Sequence, residues 1–134
     1  MSAPMQAAAP VLSYRDLRVW QQAMDLVEAT YRATKQFPAA ERYGLVTQLR
    51  RAAVSVASNI AEGHARSLGD YLRHLLVSSG SLTEMETQIV LSTRLGFLQA
   101  ADADPLLQSC DQIGRMLSGP RKSLRARRSR TPSP

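Results

Sequence analysis

The feature that constrains this chain most is a helical apolar rhythm, repeated in four blocks and broken each time by a residue that starts or stops a helix. The first block sets Leu17, Trp20, Met24, Val27, Tyr31 and Thr34 three or four residues apart, with Asp16 as N-cap, and must end before Pro38. The second begins around Glu41 to Gly44 and runs to about Ala65. Ser67 followed by Asp70 opens the third in the manner of a capping box. Its apolar side, Leu68, Tyr71, Leu72, Leu75, Leu82, Met85, Ile89 and Phe97, carries it to Leu98, a helix of roughly 30 residues and ~45 Å. In the fourth, Asp104 and Pro105 make the N-cap and first turn, Leu106, Cys110, Ile113 and Leu117 the seam, and Gly119-Pro120 the stop. Few β-branched alternations compete. Four amphipathic helices with short connections predict an all-α, antiparallel up-down-up-down four-helix bundle, a single domain over 14–118. A disordered N-terminal segment over 1–13 and a basic disordered tail over 119–134 are expected to flank it.

Composition agrees with one modest core, since 44% of the 134 residues are hydrophobic and the few aromatics leave the packing to Leu, Val, Ile and Ala. The uncharged apolar runs fall short of the ~18 to 20 residues that span a bilayer, and "MSAPMQAAAPVL" lacks a basic stretch before its apolar residues. A cytoplasmic protein without a membrane role is expected. Cys110 is the only cysteine, so neither an intrachain disulfide nor a Cys-based zinc cluster can form within one chain, and it reads as a small core residue.

Charge becomes informative when it is located. Of 17 Lys and Arg, six (Arg121, Lys122, Arg125, Arg127, Arg128 and Arg130) lie in the tail, which holds none of the 11 acids. The net charge of +6 therefore belongs to the tail, and the preceding 118 residues balance. Such a tail attracts phosphates in a salt-sensitive way, or it serves only to keep the chain soluble.

Helix two carries an unusual polar side. Leu49, Ala52, Ala53, Val56, Ile60 and Gly63 share its core face, whereas Gln48, Arg51, Ser55, Ser58, Asn59, Glu62 and Arg66 gather in an arc of about 100° bordered by Val54, Ala61 and Ala65. Solvated helix faces collect Lys, Glu, Gln and Arg; Ser and Asn compete with helical hydrogen bonding and need another reason to be there. Helix three shows a related arc of Asp70, Arg73, His74, Ser81, Glu84 and Gln88, with Gly80 beside it. Three readings fit: a polar layer inside the bundle, an interface between subunits, or ordinary wet surface. On either of the first two, Arg51, Ser55, Asn59, Glu62, Arg73, Ser81 and Glu84 are its principal members, and an inter-helix ion pair among Arg51, Glu62, Arg66, Arg73 and Glu84 is expected.

Catalytic patterns are missing. His64 and His74 are the only histidines, and no Glu-x-x-His, His-Glu-x-x-His, Gly-x-Ser-x-Gly or phosphate-loop motif occurs. Asp70 and His74, one turn apart, offer a metal two ligands at most. The chain reads as non-enzymatic, with no cofactor and no metal. Trp20, Tyr31, Tyr71 and Phe97 fit core positions, which leaves Tyr43, in the turn before helix two, as the one aromatic free to stack on a base.

"YRDLRVWQQAMDLVEATYRATKQFP", "YGLVTQLRRAAVSVASNIAEGHAR" and "HLLVSSGSLTEMETQIVLSTRLGFL" resemble the family of small four-helix-bundle proteins encoded in intervening sequences of bacterial 23S ribosomal RNA genes. The likeness covers roughly Tyr14 to Leu117 and is most specific at Leu17 to Trp20, Gln48 to Ala52, Ser58 to Gly63 and Gly80 to Glu84. It implies a four-helix bundle assembled as a ring-like homopentamer. It also implies kinship to the accessory protein of diversity-generating retroelements, which binds RNA and a reverse transcriptase, and it implies no enzyme activity. RNA or DNA, a reverse transcriptase or another protein are thus the partners to consider. Of basic surface residues, the resemblance carries over Arg50, Arg51 and Arg66. The Arg-rich tail and Ala/Pro-rich start are departures, so the tail is expected to supply much of any nucleic-acid binding; a protein-protein scaffold is the alternative function.

Overall fold

The structure, a computed structural model, describes the backbone of residues 13–130 and the side chains of residues 13–119. Its helices are α1 (Arg18–Thr34), α2 (Leu45–His64), α3 (Leu68–Arg94) and α4 (Ala100–Arg130), with short 3-10 turns at Tyr14–Asp16 and Ala39–Glu41. Each helix packs on its sequence neighbours and α1 closes on α4, so the chain is an up-down-up-down four-helix bundle. No helix among the described residues is long and apolar enough to cross a membrane.

Four boundaries differ from those expected. Asp16 does not cap α1; it closes a capping box with Ser13 around the first 3-10 turn, and Leu17 takes the N-cap of α1. α3 ends at Arg94 rather than Leu98, because Gly96 adopts φ +81°. Gly96 N–H then donates to the Thr93 carbonyl and Phe97 N–H to the Ser92 carbonyl, which is a Schellman stop. α4 starts at Ala100, ahead of Asp104 and Pro105, and its backbone stays helical through Gly119-Pro120 to Arg130. A lone Pro removes one hydrogen bond and bends a helix without having to end it. The helix stop expected at Gly119-Pro120 is thus not found in the backbone, which is helical to Arg130. Residues 1–12 and 131–134 lie outside the described residues, as do the side chains of Arg121, Lys122, Arg125, Arg127, Arg128 and Arg130.

Leu49, Val56 and Ile60 of α2, Leu75, Met85 and Ile89 of α3, and Cys110, Ile113 and Leu117 of α4 fill the core. The expected α1 stripe holds in part: Thr34 is buried and Leu17, Trp20 and Val27 pack against the core, but Met24 and Tyr31 are exposed while Ala23, Leu26 and Thr30 are buried. Thr30 and Thr34 can be buried because their hydroxyls donate to the carbonyls of Leu26 and Thr30 at 2.7 and 2.8 Å. Leu68, assigned to the apolar side of α3, is exposed at its first turn. At one end of the bundle Phe37 packs on Phe97 with ring centroids 5.9 Å apart, tying the α1–α2 connection to the α3–α4 connection. That clasp fixes the Pro38 turn against the body.

Candidate nucleic-acid interface

Towards α3, the arc of α2 closes into a hydrogen-bonded seam. Ser81 Oγ donates to Ser55 Oγ at 2.8 Å, and Asn59 Nδ2 donates to the Ser55 carbonyl at 2.9 Å. That bond orients the Asn59 amide, so its Oδ1 faces His74 Nδ1 at 2.9 Å and the ring nitrogen must be the donor. Ser78 Oγ donates to the Val56 carbonyl at 2.9 Å. Gly63 lets the two helices approach, since a Cβ there would stand 2.8 Å from His74 Cβ. Ser and Asn sit mid-helix here because they bond across the α2–α3 contact.

The charged members stay outside it. Arg51, Glu62, Arg73 and Glu84 are exposed, and no ion pair joins Arg51 to Glu84 among the described residues, although both line a cavity of about 390 Å³ with Gln48, Ala52, Ser55 and Ser81. Arg73 pairs with Asp70 on its own helix at 3.7 Å, and between the helices Glu62 Oε2 stands 3.9 Å from His74 Nδ1. The expected Arg/Glu bridge is thus replaced by neutral hydrogen bonds, which need less desolvation. Gln88 Nε2 donates to Glu84 Oε1 at 3.1 Å, while its buried Oε1 finds no partner among the described residues.

Towards α1, the same helix presents cations. Arg50 Nε donates to Thr34 Oγ1 at 2.9 Å, and its guanidinium lies 4.5 Å from the centre of the Tyr31 ring. Those contacts hold a cation in one place before any ligand arrives. Arg50 separates two cavities: one of about 370 Å³ lined by Thr34, Lys35, Phe37, Pro38, Ala39, Arg42 and Val46, the other of about 460 Å³ lined by Tyr31, Thr47, Arg51, Val54 and Ser55. Arg51 and Ser55 continue into the α2–α3 cavity. Three adjoining hollows therefore cross α2, lined by Lys35, Arg42, Arg50 and Arg51, and by a single carboxylate, Glu84, at the far end. Glu41, next to Arg42 in sequence, accepts the Leu45 N–H at 3.3 Å at the start of α2.

Residues 15–119 match the sequence model of the family described as 23S rRNA-intervening sequence protein. The chain belongs to that family. None of the curated proteins matches it. Among solved structures it is similar to a protein of unknown function from the S23 ribosomal protein family of Bacteroides thetaiotaomicron, with 20% identity and a TM-score of 0.70. The match covers 78% of this chain and 98% of the other, and establishes a shared fold.

In this member of the 23S rRNA-intervening sequence family the basic residues do not form one cluster. Arg66 lies past the far end of α2, fifteen positions and ~22 Å of helix from Arg51. Lys35 and Arg42, absent from the expected set, join Arg50 because the Pro38 turn folds α1 back onto α2. The signal available in the sequence was a pair of cations flanking that turn. Tyr31, expected in the core, is instead the platform beneath Arg50. Asp70 and His74 do not converge: Asp70 accepts from Ser67 and pairs with Arg73, while His74 turns to Asn59. No group of three or more His, Cys, Asp or Glu among the described residues could hold a metal ion. Cys110 is buried, and burial together with the nearby Glu86 carboxylate pushes its thiol up to about 12, which leaves it protonated and unreactive at neutral pH.

Proposed function

We propose that this protein is a non-enzymatic, oligomeric nucleic-acid-binding protein that holds RNA through the basic hollows over α2 and the Arg-rich end of α4. One observation carries the reading: Lys35, Arg42, Arg50 and Arg51 line adjoining concavities in which Glu84 is the only acid. Clefts of one sign with low-dielectric walls focus the field toward a polyanion. The six cations after Gly119 add to this on every copy, and assembly as a homopentamer would multiply them to about thirty. Leu76, Val77, Val90 and Leu91, exposed on α3, and Leu95 at its C-cap support self-association, since they form more uncovered apolar surface than a solvated helix needs.

The test compares the full chain with one ending at Ser118 by filter binding to a long structured RNA at low and moderate salt. We expect binding that weakens steeply with salt and is reduced, not abolished, in the shorter chain. Equal affinities would remove the tail from the mechanism. Absence of binding by both would favour a protein-protein scaffold, for which the α3 residues offer the contact. Light scattering tests assembly, and a monomer at micromolar concentration would refute it.

A further inference from the structure

Tyr43 has no structural task. The residue is 88% exposed, the most of any large hydrophobic residue described, and its side chain makes no hydrogen bond or ring contact among the described residues. It belongs neither to the core nor to the residues packed against it. An exposed aromatic ring next in sequence to a cavity-lining cation offers a face on which an unpaired base can stack. The residue before it, Arg42, lines the 370 Å³ cavity with Lys35 and Arg50, and no carboxylate lines that cavity.

We propose that the corner between α1 and α2 binds one unpaired nucleotide of single-stranded nucleic acid, its phosphate among Lys35, Arg42 and Arg50 and its base stacked on Tyr43. This deepens the nucleic-acid reading above and rests on it. Phe37, Pro38 and Val46 wall the cavity with apolar surface, which strengthens the attraction between a phosphate and the three cations. Arg50 is fixed by Thr34 and Tyr31, so less freedom is lost when it takes up a phosphate oxygen. Lys35 is the C-cap residue of α1, where the carbonyl end of the helix favours a cation. In a duplex the base faces are covered by their neighbours, so the Tyr43 ring discriminates in favour of single strands. Because every base has such a face, little sequence preference should accompany it.

The experiment is fluorescence anisotropy with a labelled, non-self-complementary RNA of about ten nucleotides, alone or annealed to its complement, at fixed moderate salt. The full chain is compared with Tyr43→Ala, Tyr43→Phe and Arg42→Gln, each checked for an unchanged melting temperature, as expected for exposed positions. Tyr43→Ala should lose at least about five-fold in affinity for the single strand and nothing for the duplex, while Tyr43→Phe stays close to the parent. Arg42→Gln should lower the salt slope for the single strand by about one. A DNA strand of the same sequence should bind as the RNA does, because phosphate and base face are common to both; a strong preference for DNA would overturn RNA as the source. Binding by Tyr43→Ala equal to the parent overturns the stacking site while the nucleic-acid reading stands. No binding of any strand by the full chain overturns both.

Discussion

The two flanks of α2 solve opposite problems with neighbouring residues. Its α3 side is neutral, small and closed: Ser55, Asn59, Ser78 and Ser81 find partners within 3 Å, and Gly63 admits the neighbouring helix. Its α1 side is cationic and open, with Arg50 pinned and Lys35, Arg42 and Arg51 around hollows. The balance of 11 basic and 11 acidic residues before the tail therefore says little about the field at the surface. Segregation, not the sum, decides what a polyanion meets.

If the closed flank is a packing surface, it should respond in stability. Gly63→Ala is expected to give the largest effect, about 2 to 3 kcal/mol of destabilisation, because the new methyl would press on His74 Cβ and on Tyr71 Cδ2, 3.2 Å away, neither at the loose end of a side chain. Gly80→Ala, on the partner helix with nothing within 4 Å of the new atom, should instead stabilise by roughly 0.5 to 1 kcal/mol through helix propensity. Urea denaturation of the pair reads the contrast. Equal midpoints would mean that α2 and α3 do not approach as closely as described.

Asn59→Ala comes next. It leaves the His74 ring N–H, on a buried side chain, without its acceptor, and the Ser55 carbonyl without its second donor. A loss of about 1 to 3 kcal/mol is expected, with RNA affinity unchanged once the protein is folded. A fall in affinity at full folding would show that the seam also faces the ligand, and the distinction between the flanks would dissolve.

The open flank should behave in the reverse way. Arg51→Gln and Lys35→Gln alter exposed side chains, so stability should stay within about 0.5 kcal/mol. Each should lower the slope of log affinity against log salt by about one, measured by filter binding over a salt series. If neither slope moves while removal of the tail abolishes binding, the hollows over α2 are not the site.

How much of this was legible in the sequence varies by element. The core face of α2 and the seam of α4 were, because a strongly amphipathic pattern is a local property that tertiary packing preserves. The phase of α1 was legible only in part: Thr34 is inside as expected, but bulky Met24 and Tyr31 are exposed, and Ala23 and Thr30 are inside, where small size and a hydroxyl bonded to the preceding turn suit close packing. The stop at Gly96 was visible as a glycine but gave way to the apolar residues that follow it. The basic corner was visible only as two cations, Lys35 and Arg42, flanking a proline, because their meeting with Arg50 depends on how the Pro38 turn folds. Ser55 and Asn59 announced an unusual contact, and only the structure shows that their partners are Ser81 and His74 rather than charged residues.

Glu84 offers the smallest and most discriminating change. It stands where the two flanks meet, exposed, lining the α2–α3 cavity with Arg51 and accepting one hydrogen bond from Gln88 Nε2. Glu84→Ala should cost no more than about 1 kcal/mol, because Gln88 Nε2 keeps the Gln48 Oε1 contact at 3.4 Å and no buried charge is stranded. The same change removes the only acid lining the three hollows and lets the field of Arg51 extend toward α3. RNA affinity should therefore rise by about two- to five-fold at low salt, and the gain should shrink as salt is added, since the effect is an exposed charge acting over several ångströms. Filter binding of Glu84→Ala and Glu84→Gln at two salt concentrations separates charge from shape, because Gln preserves the side-chain length. A gain in both variants places the ligand across α2, whereas a gain in neither confines it to the α1 side.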